Sequence, residues 1–568
     1  MTEALRITLV FLLFLGLSSI ALSQTSLQGK VTDSETGEVL IFSSVALYKN
    51  GVLITGTETD DDGNYAISNI DPGTYDLEVS YTGYQTQRIT GVLVSAGRVN
   101  KADVNLSQGV VLDQVVVTDY KVPLIEQDNT TSGGVVTSEQ IRNLPTKSIS
   151  TIAATTAGIS SRDGESVAVR GSRTNATDYY VDGIRVFGNL VPQSEIDQLQ
   201  VITGGIEARY GDVTGGIISI TTKGPSNELS GGLELESSEF LDAFGYNEAN
   251  GYLSGPILRN KSGKSILGYR FSGRFVYQEE NNPSAVDVYV APQSLLRELE
   301  ENPTRRVAGT SFASGEFLHN NDVQALKARP NEDLQTLDLT AKLDAQLTHN
   351  VDVTLSGSYR NAEDQFTPST SWLLLNYENN PIDYDQRARI NLRLRHRLGK
   401  DNNDQRSKVG LIQNAVYTIQ AGYEQATGHQ EDLRHTDHLF RYGHVGTYDF
   451  SWIPAEGESS YSGAIMGLAH AGFLQVLNDN YIPSEYNPVL ANYNKDINQS
   501  IFGQYRNYNG FTSNSTNSLW GFHRNVGSVY NSFNRFLTDR YTFNLAGSFD
   551  LVPGGSDKGR HSIELGLM

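Results

Sequence analysis

At 568 residues the chain exceeds what one hydrophobic core usually organises, so three or so domains are expected. A formal charge of −21, with no concentrated basic stretch, argues against a nucleic-acid partner, which needs a basic face to displace counterions from phosphates. A mean hydropathy of −0.35 excludes a helical membrane bundle but not a membrane barrel, whose strands alternate in polarity.

Residues 1–23 read as a secretory signal peptide: Arg6 precedes the apolar run "ITLVFLLFLGLSSIALS", and Ala21 with Ser23 sets a cleavage site after Ser23. An uncleaved anchor helix is the competing reading. The chain has no cysteine, so no lipid is attached at that junction and an exported protein must hold together without disulfides.

Residues 24–108 alternate in short strands with turn signals every eight to twelve residues, as in a β-sandwich. "LQGKVTD" and "VLIFSSVALY" are expected to form a hairpin about "SETGE", and "TETDDDGNYAI" and "GTYDLEVSYTGY" are expected to pair about "DPG". Glu58, Asp60, Asp62 and Gly63 hint at a calcium loop, but its first position is Glu and its twelfth is Asn69, so an acidic turn is the expectation. With "GKVTDSETGEVL", "DDDGNYAISNIDPGTYDLEVSYTGYQ" and "VNLSQ", the segment resembles the carboxypeptidase regulatory-like domain, which implies a seven-stranded transthyretin-like sandwich. The segment contains no histidine and hence no familiar zinc-protease ligand set.

The linker 109–121 holds "VVLDQVVVTDYK", a β-prone run without an obvious partner, suited to strand addition onto another protein's sheet. Asp113, Gln114, Val115, Val116, Val117 and Thr118 resemble the TonB box of outer-membrane receptors. The alternative is that this run is the last strand of the sandwich.

Residues 122–224 place Leu144–Pro145, Arg170–Gly171, Asp182–Gly183, Tyr210–Gly211, Gly215–Gly216 and Thr222–Lys223 in order, ending "EARYGDVTGGIISITTKG". This series resembles the plug domain of TonB-dependent receptors, an α+β globule that fills a barrel. Ile218–Ser219 and Thr203–Gly205 depart from the usual wording of that family. The glycines are read as conformational, serving tight turns and close backbone approach, and Ile217, Ile218 and Ile220 as a buried strand. "SGKS" at 262–265 fails as a phosphate loop, because position 258 is Leu258 where a glycine is needed.

From 225 to 568 the period is two, at membrane-strand length. Tyr269, Phe271, Phe275 and Tyr277 alternate with Arg270, Ser272 and Arg274, while Leu337, Leu339 and Leu343 alternate with Asp338, Thr340 and Lys342. In "RARINLRLRHRLG", Ala388, Ile390, Leu392 and Leu394 oppose Arg387, Arg389, Arg393, Arg395 and Arg397. Arginine facing lipid costs about 2 to 4 kcal/mol at the midplane, so these five are expected to line the lumen against the plug. Short turns are expected at 257–266, 349–350, 399–409, 452–460 and 552–560, and long loops at 279–335 and 475–535, the second rich in Asn, Tyr and Ser as suits a polar-ligand surface but read as disordered loop. A soluble sandwich is the alternative to the barrel. About eleven strands are expected by Met568, roughly half of the 22 of plugged transporters, which reads as a truncated or partial barrel.

The expected fold is thus mainly β: sandwich, α+β plug and incomplete antiparallel barrel. Sandwich followed by plug resembles the Bacteroidetes-type receptors of the SusC-like and Oar-like groups. The resemblance implies an outer-membrane receptor importing a glycan, peptide or siderophore with the TonB C-terminal domain as partner, and admits a surface lipoprotein as a second. An adhesin anchored by the barrel, or a non-functional truncated receptor, is the alternative. No enzyme, cofactor or metal is expected; His429, His435, His438 and His444 cluster in sequence, but such spacing on a strand points to opposite faces.

Overall fold

The computed structural model describes residues 25–108, 116–119, 132–398, 412–498, 518–551 and 561–567, apart from 61, 69, 97–98, 163–165, 189–190, 207–209, 211–212, 262–264, 349 and 462–463. The signal peptide, Asp113 to Val115, Gly211 and the expected turns at 399–409 and 552–560 lie outside the described residues.

The sandwich comprises β1 (Ser26–Asp33), β2 (Ser44–Lys49), β3 (Val52–Glu58), β4 (Asn64–Ser68), β5 (Gly73–Ser80), β6 (Gln87–Val94), β7 (Val99–Lys101) and β8 (Val104–Leu106). One sheet runs β4-β1-β7 with β8 also on β1; the other runs β3-β2-β5-β6 and ends on β9 (Val116–Asp119). Period-two residues Leu27, Val31, Val45, Leu47, Leu77, Val79 and Val92 fill the space between them, each with no exposed surface. Of the two expected hairpins, the first holds only beside its turn, where Thr32 bridges Val39 and the Leu40 amide donates to the Val31 carbonyl at 3.0 Å, while β2 itself joins the other sheet; the second is corrected, since β4 and β5 lie in different sheets, each strand's apolar face meeting the other sheet and not its sequence neighbour. The turn at Asp33 stands, because Asp33 Oδ1 accepts from the Glu35 and Thr36 amides at 2.8 Å.

The plug sheet has the order β10-β15-β16-β13-β14, from β10 (Ser132–Thr137), β13 (Asp178–Val181), β14 (Ile184–Val186), β15 (Ile196–Gly204) and β16 (Ile217–Thr222). The pair β11 (Ile159–Ser160) and β12 (Ala168–Val169) stands apart. Helix α1 (Ser138–Asn143) starts at a capping box, with the Thr137 side chain accepting from the Gln140 amide, and α2 (Ile149–Ala154) follows with Ile149 and Ile152 buried. The central strand β16 buries Ile217, Ile218 and Ile220 completely.

The barrel sheet is built from β17 (Ser230–Ser237), β18 (Asn247–Arg259), β19 (Ser265–Gln278), β20 (Leu334–Thr348), β21 (Val351–Gln365), β22 (Ile382–Leu398), β23 (Ile412–Glu431), β26 (Asn534–Leu551) and β27 (His561–Leu567), antiparallel throughout. Its two faces invert the usual rule. Phe271 is 49% and Ile390 51% exposed on the outer face, whereas Arg270, Asp338, Asn391 and Glu424 are buried on the inner one. Only a hydrocarbon solvent outside and polar partners inside make that arrangement favourable. A soluble sandwich is the wrong alternative for this segment.

The remaining long strands, β24 (Gly446–Tyr461) and β25 (Ala464–Pro483), pair only with each other among the described residues, so nine strands form the sheet and two a separate ribbon. The expected turn at 452–460 is therefore a correction: Trp452 to Ser460 are in β24. Pro454 and Gly457 are accommodated because neither outer edge of the ribbon pairs with another strand among the described residues and because the ladder has three register shifts, at Tyr448/Asp449, Ala455/Glu456 and Ser459/Ser460.

The long loops are a second correction. Their described parts carry helices α3 (Gln293–Glu301) and α5 (Pro488–Asn498), and with α4 (Thr370–Asn376), in the connection between β21 and β22, they share a core that includes Val290, Leu296, Leu374, Tyr493, Leu519 and Val526. Asn376 ties excursions together: its Nδ2 donates to the Arg524 and Asn525 carbonyls and its Oδ1 accepts from the Ser528 amide. Tyr493 donates to the Val526 carbonyl at 2.9 Å.

Candidate functional site: the interface of plug, barrel and sandwich

The plug sits against the inner face of the barrel sheet, and polar groups meet there. Glu195, at the plug turn before β15, accepts a fork of two hydrogen bonds from Arg270 on β19 at 2.6 and 2.9 Å, both side chains being buried. Arg270 also stacks on Tyr252 at 4.3 Å. The Phe187 amide donates to the Glu424 carboxylate of β23 at 3.0 Å, while the Phe187 carbonyl accepts from Arg387 of β22 at 3.0 Å. Gln420 donates to the Asp182 carbonyl at 3.0 Å.

Asp182 and Gly183 form the tight turn between β13 and β14, with φ of 48° and 86°. That left-handed turn aims the Asp182 carboxylate back at β16, where it accepts from the Thr222 amide at 2.9 Å and the Thr222 hydroxyl at 2.6 Å, with Lys342 of β20 at 3.3 Å. Burial opposes the charge, but Lys342 and the Thr222 bonds outweigh it and hold the carboxyl below its ordinary range. Lys223, whose ammonium donates to the Ser194 carbonyl at 2.7 Å, is shifted down by burial.

The other plug pairs serve the fold. Arg170 has φ 49° and its guanidinium donates to Ser132 at 2.7 Å, pinning the turn to the start of β10. Tyr180 donates to the Tyr210 carbonyl at 2.8 Å, and the two rings meet edge to face. A Cβ at Gly215 would lie 2.5 Å from the Ala176 carbonyl oxygen, and one at Gly216 2.4 Å from Val169, so only glycine fits at either place.

The five β22 arginines divide. Arg387 reaches the plug and also Asp385; Arg397 pairs with Asp352 at 2.6 Å. Arg389 borders a small inner cavity of about 40 Å³ with Lys342 and Asn391, where Arg389 Nη1 and Asn391 Oδ1 have no hydrogen-bond partner among the described residues and so are placed to hold water. Arg393 and Arg395, expected against the plug, instead meet Asp71 of the sandwich, Arg393 at 3.2 Å. The physical reason is position: both lie at the short-turn end of the barrel, below the plug, where the sandwich is seated. Burial opposes the Asp71 charge, but the two guanidinium groups hold its carboxyl well below the usual range. Lys49 pairs with Asp197 of β15 at 3.0 Å, and this partner outweighs desolvation and holds the ammonium above its ordinary range. Gln200 of β15 accepts from the Ala96 amide at 3.1 Å and donates to the Ala96 carbonyl at 3.3 Å. Between the three bodies lies a cavity of about 400 Å³ bordered by Tyr75, Asp182, Lys342 and Arg393.

Sequence reasoning missed Glu195, Asp71, Lys49 and Asp197. The legible signal was on the barrel side: each buried cation on a strand's polar face, such as Arg270, demands an acidic partner from whatever fills the lumen. Of the coupling segment, Val116 to Thr118 are in β9, which pairs in parallel with β6 through Gln87↔Val116, Arg88↔Val117 and Ile89↔Thr118. The run expected to lack a partner thus continues the sandwich sheet. The histidines are not all on a strand: His435, His438 and His444 lie in the 432–445 loop, with His435 bonded to Asn487 at 2.8 Å. Among the described residues no group of three His, Asp or Glu side chains is arranged to hold a metal.

Residues 26–107 match the carboxypeptidase regulatory-like domain, and residues 126–217 match the TonB-dependent receptor plug domain. The chain has the domain order of a TonB-dependent receptor. It is 29% identical over 190 residues to the TonB-dependent transporter Oar of Myxococcus xanthus, covering 30% of this chain and 18% of that protein. It is 28% identical over 191 residues to the ferric enterobactin receptor of Pseudomonas aeruginosa, covering 33% and 22%. Among solved structures, the siderophore receptor PirA from Acinetobacter baumannii aligns with 74% of this chain and 45% of its own at 14% identity and a TM-score of 0.37. A ferric enterobactin receptor mutant from Pseudomonas aeruginosa, in complex with enterobactin, aligns with 77% and 49% at 14% identity and a TM-score of 0.40. The chain therefore spans about a fifth of each curated relative in the aligned region and about half of each of these solved receptors.

Proposed function

We propose that this protein is an outer-membrane receptor that binds a scarce nutrient outside the cell, a siderophore, glycan or peptide, and admits it when TonB pulls on the segment Asp113 to Thr118. The observation that carries the reading is the plug held inside an apolar-faced sheet by polar contacts, Glu195 to Arg270, Asp182 to Lys342 and Phe187 to Glu424. Such contacts exchange readily for water when a plug shifts, whereas an apolar seal between plug and wall would lose its whole hydrophobic contribution at once. Arg387 and Arg389 then act as plug-facing lumen groups, and Gly215 and Gly216 keep the last plug strand close-packed during the movement. No covalent chemistry is involved.

Deleting Asp113 to Thr118 should abolish uptake in cells while leaving ligand binding at the surface intact. Capture of the chain by the TonB C-terminal domain that survives this deletion would overturn the role given to the segment.

A further inference from the structure

We propose that the N-terminal sandwich presents the coupling segment to TonB, holding its Val116 to Thr118 extended as the edge strand of a sheet to which the TonB domain adds the next strand. This rests on the coupling role given above to Asp113 to Thr118.

The sheet order is β3-β2-β5-β6-β9, so Val116–Asp119 is its terminal strand, and no described strand pairs with its other edge. A terminal strand has one ladder satisfied and one row of backbone donors and acceptors open, which is what strand addition uses. A free linker must first be ordered residue by residue before it can pair, at about 1 to 2 kcal/mol of lost backbone entropy for each. Pairing with β6 through four registered positions meets that cost before TonB arrives. The platform is itself fixed: Lys49 to Asp197, Ala96 to Gln200 and Asp71 to Arg393 hold the sandwich to plug and barrel at the short-turn end. The presented edge therefore stands at the mouth from which the plug must be drawn.

The register supplies the test. Thr90 faces Asp119, just outside the coupling segment, and the chain has no cysteine of its own, so T90C with D119C provides the only thiols available for a disulfide across the pair. Binding of the full 568-residue chain in detergent to immobilised TonB C-terminal domain is measured with that pair oxidised and reduced, and for a variant lacking residues 27–106. Presentation predicts that the oxidised form binds as tightly as the reduced form or tighter, and that removing the sandwich weakens binding at least about tenfold. Binding abolished by oxidation and restored by reductant would overturn the proposal, because the sandwich would then be a competitor for the segment. Binding unaffected by either change would overturn it as well, leaving the coupling role intact. If deleting Asp113 to Thr118 changes nothing, the coupling role itself fails, and the two failures are told apart.

Discussion

The sandwich and the barrel sheet are written in the same alternating script yet bury opposite faces. In the sandwich, Leu47 and Leu77 point inward and are wholly covered; in the barrel, Ile390 and Leu392 point outward while Arg270 and Glu424 are inside. Alternation by itself says only that two faces differ. What decides which one is interior is whether the polar face carries charges that can find partners, as Arg270 does in Glu195, and whether the apolar face has a second sheet to meet.

Four experiments break or sharpen this contrast. The largest effect is expected for Glu195→Ala, which leaves Arg270 charged and buried at a cost of about 3 to 5 kcal/mol, read as loss of plug protection from protease in the folded chain. Leu77→Ala opens a cavity in the sandwich and should cost about 2 to 5 kcal/mol in the urea unfolding of that domain. Leu392→Arg, on the outer face of β22, should cost about 2 to 4 kcal/mol in bilayer insertion, whereas Gln346→Arg on the lumen side, opposite Asp352 and bordering the larger cavity, should insert nearly as well as the parent, as scored by folding into lipid vesicles. The smallest effect is on pH. Because the docked Asp71 carboxyl lies below its free value, its contribution to seating the sandwich is complete above the ordinary aspartate range, near about pH 4, and is lost as the pH falls through the docked value. Fluorescence transfer between labelled sandwich and plug should therefore be flat from about pH 8 to 5 and decline only in stronger acid, and Asp71→Asn should flatten the acid limb.

Much of the architecture was legible because it rests on local rules. The period of two across Tyr269 to Tyr277, the paired motifs from Leu144 to Lys223 and the β-prone "QVVVT" each carry their meaning within a few residues. The parts that were not legible depend on distant partners. "WIPAEGESS" has the composition of a turn, and only its place in a ribbon whose outer edges pair with no other strand among the described residues lets β24 run through Pro454 and Gly457. Val116 to Asp119 gains its parallel partner from about thirty residues upstream, and Asp71 meets Arg393 across more than three hundred positions, as its separation of 322 records. The acidic side of each interdomain pair had no local signature, since Asp and Glu abound in a chain of this charge.

The core shared by the long loops has a mechanical consequence. Val290, Leu374 and the pair Tyr493 and Val526 come from three separate excursions but pack into one cluster, with Asn376 bonded across two of them. Close-packed side chains transmit displacement with little compression. The described parts of these excursions are accordingly joined into one plate and are not independent tethers, so the amide hydrogens around Val290, Leu374 and Val526 should exchange with solvent as one cooperative unit.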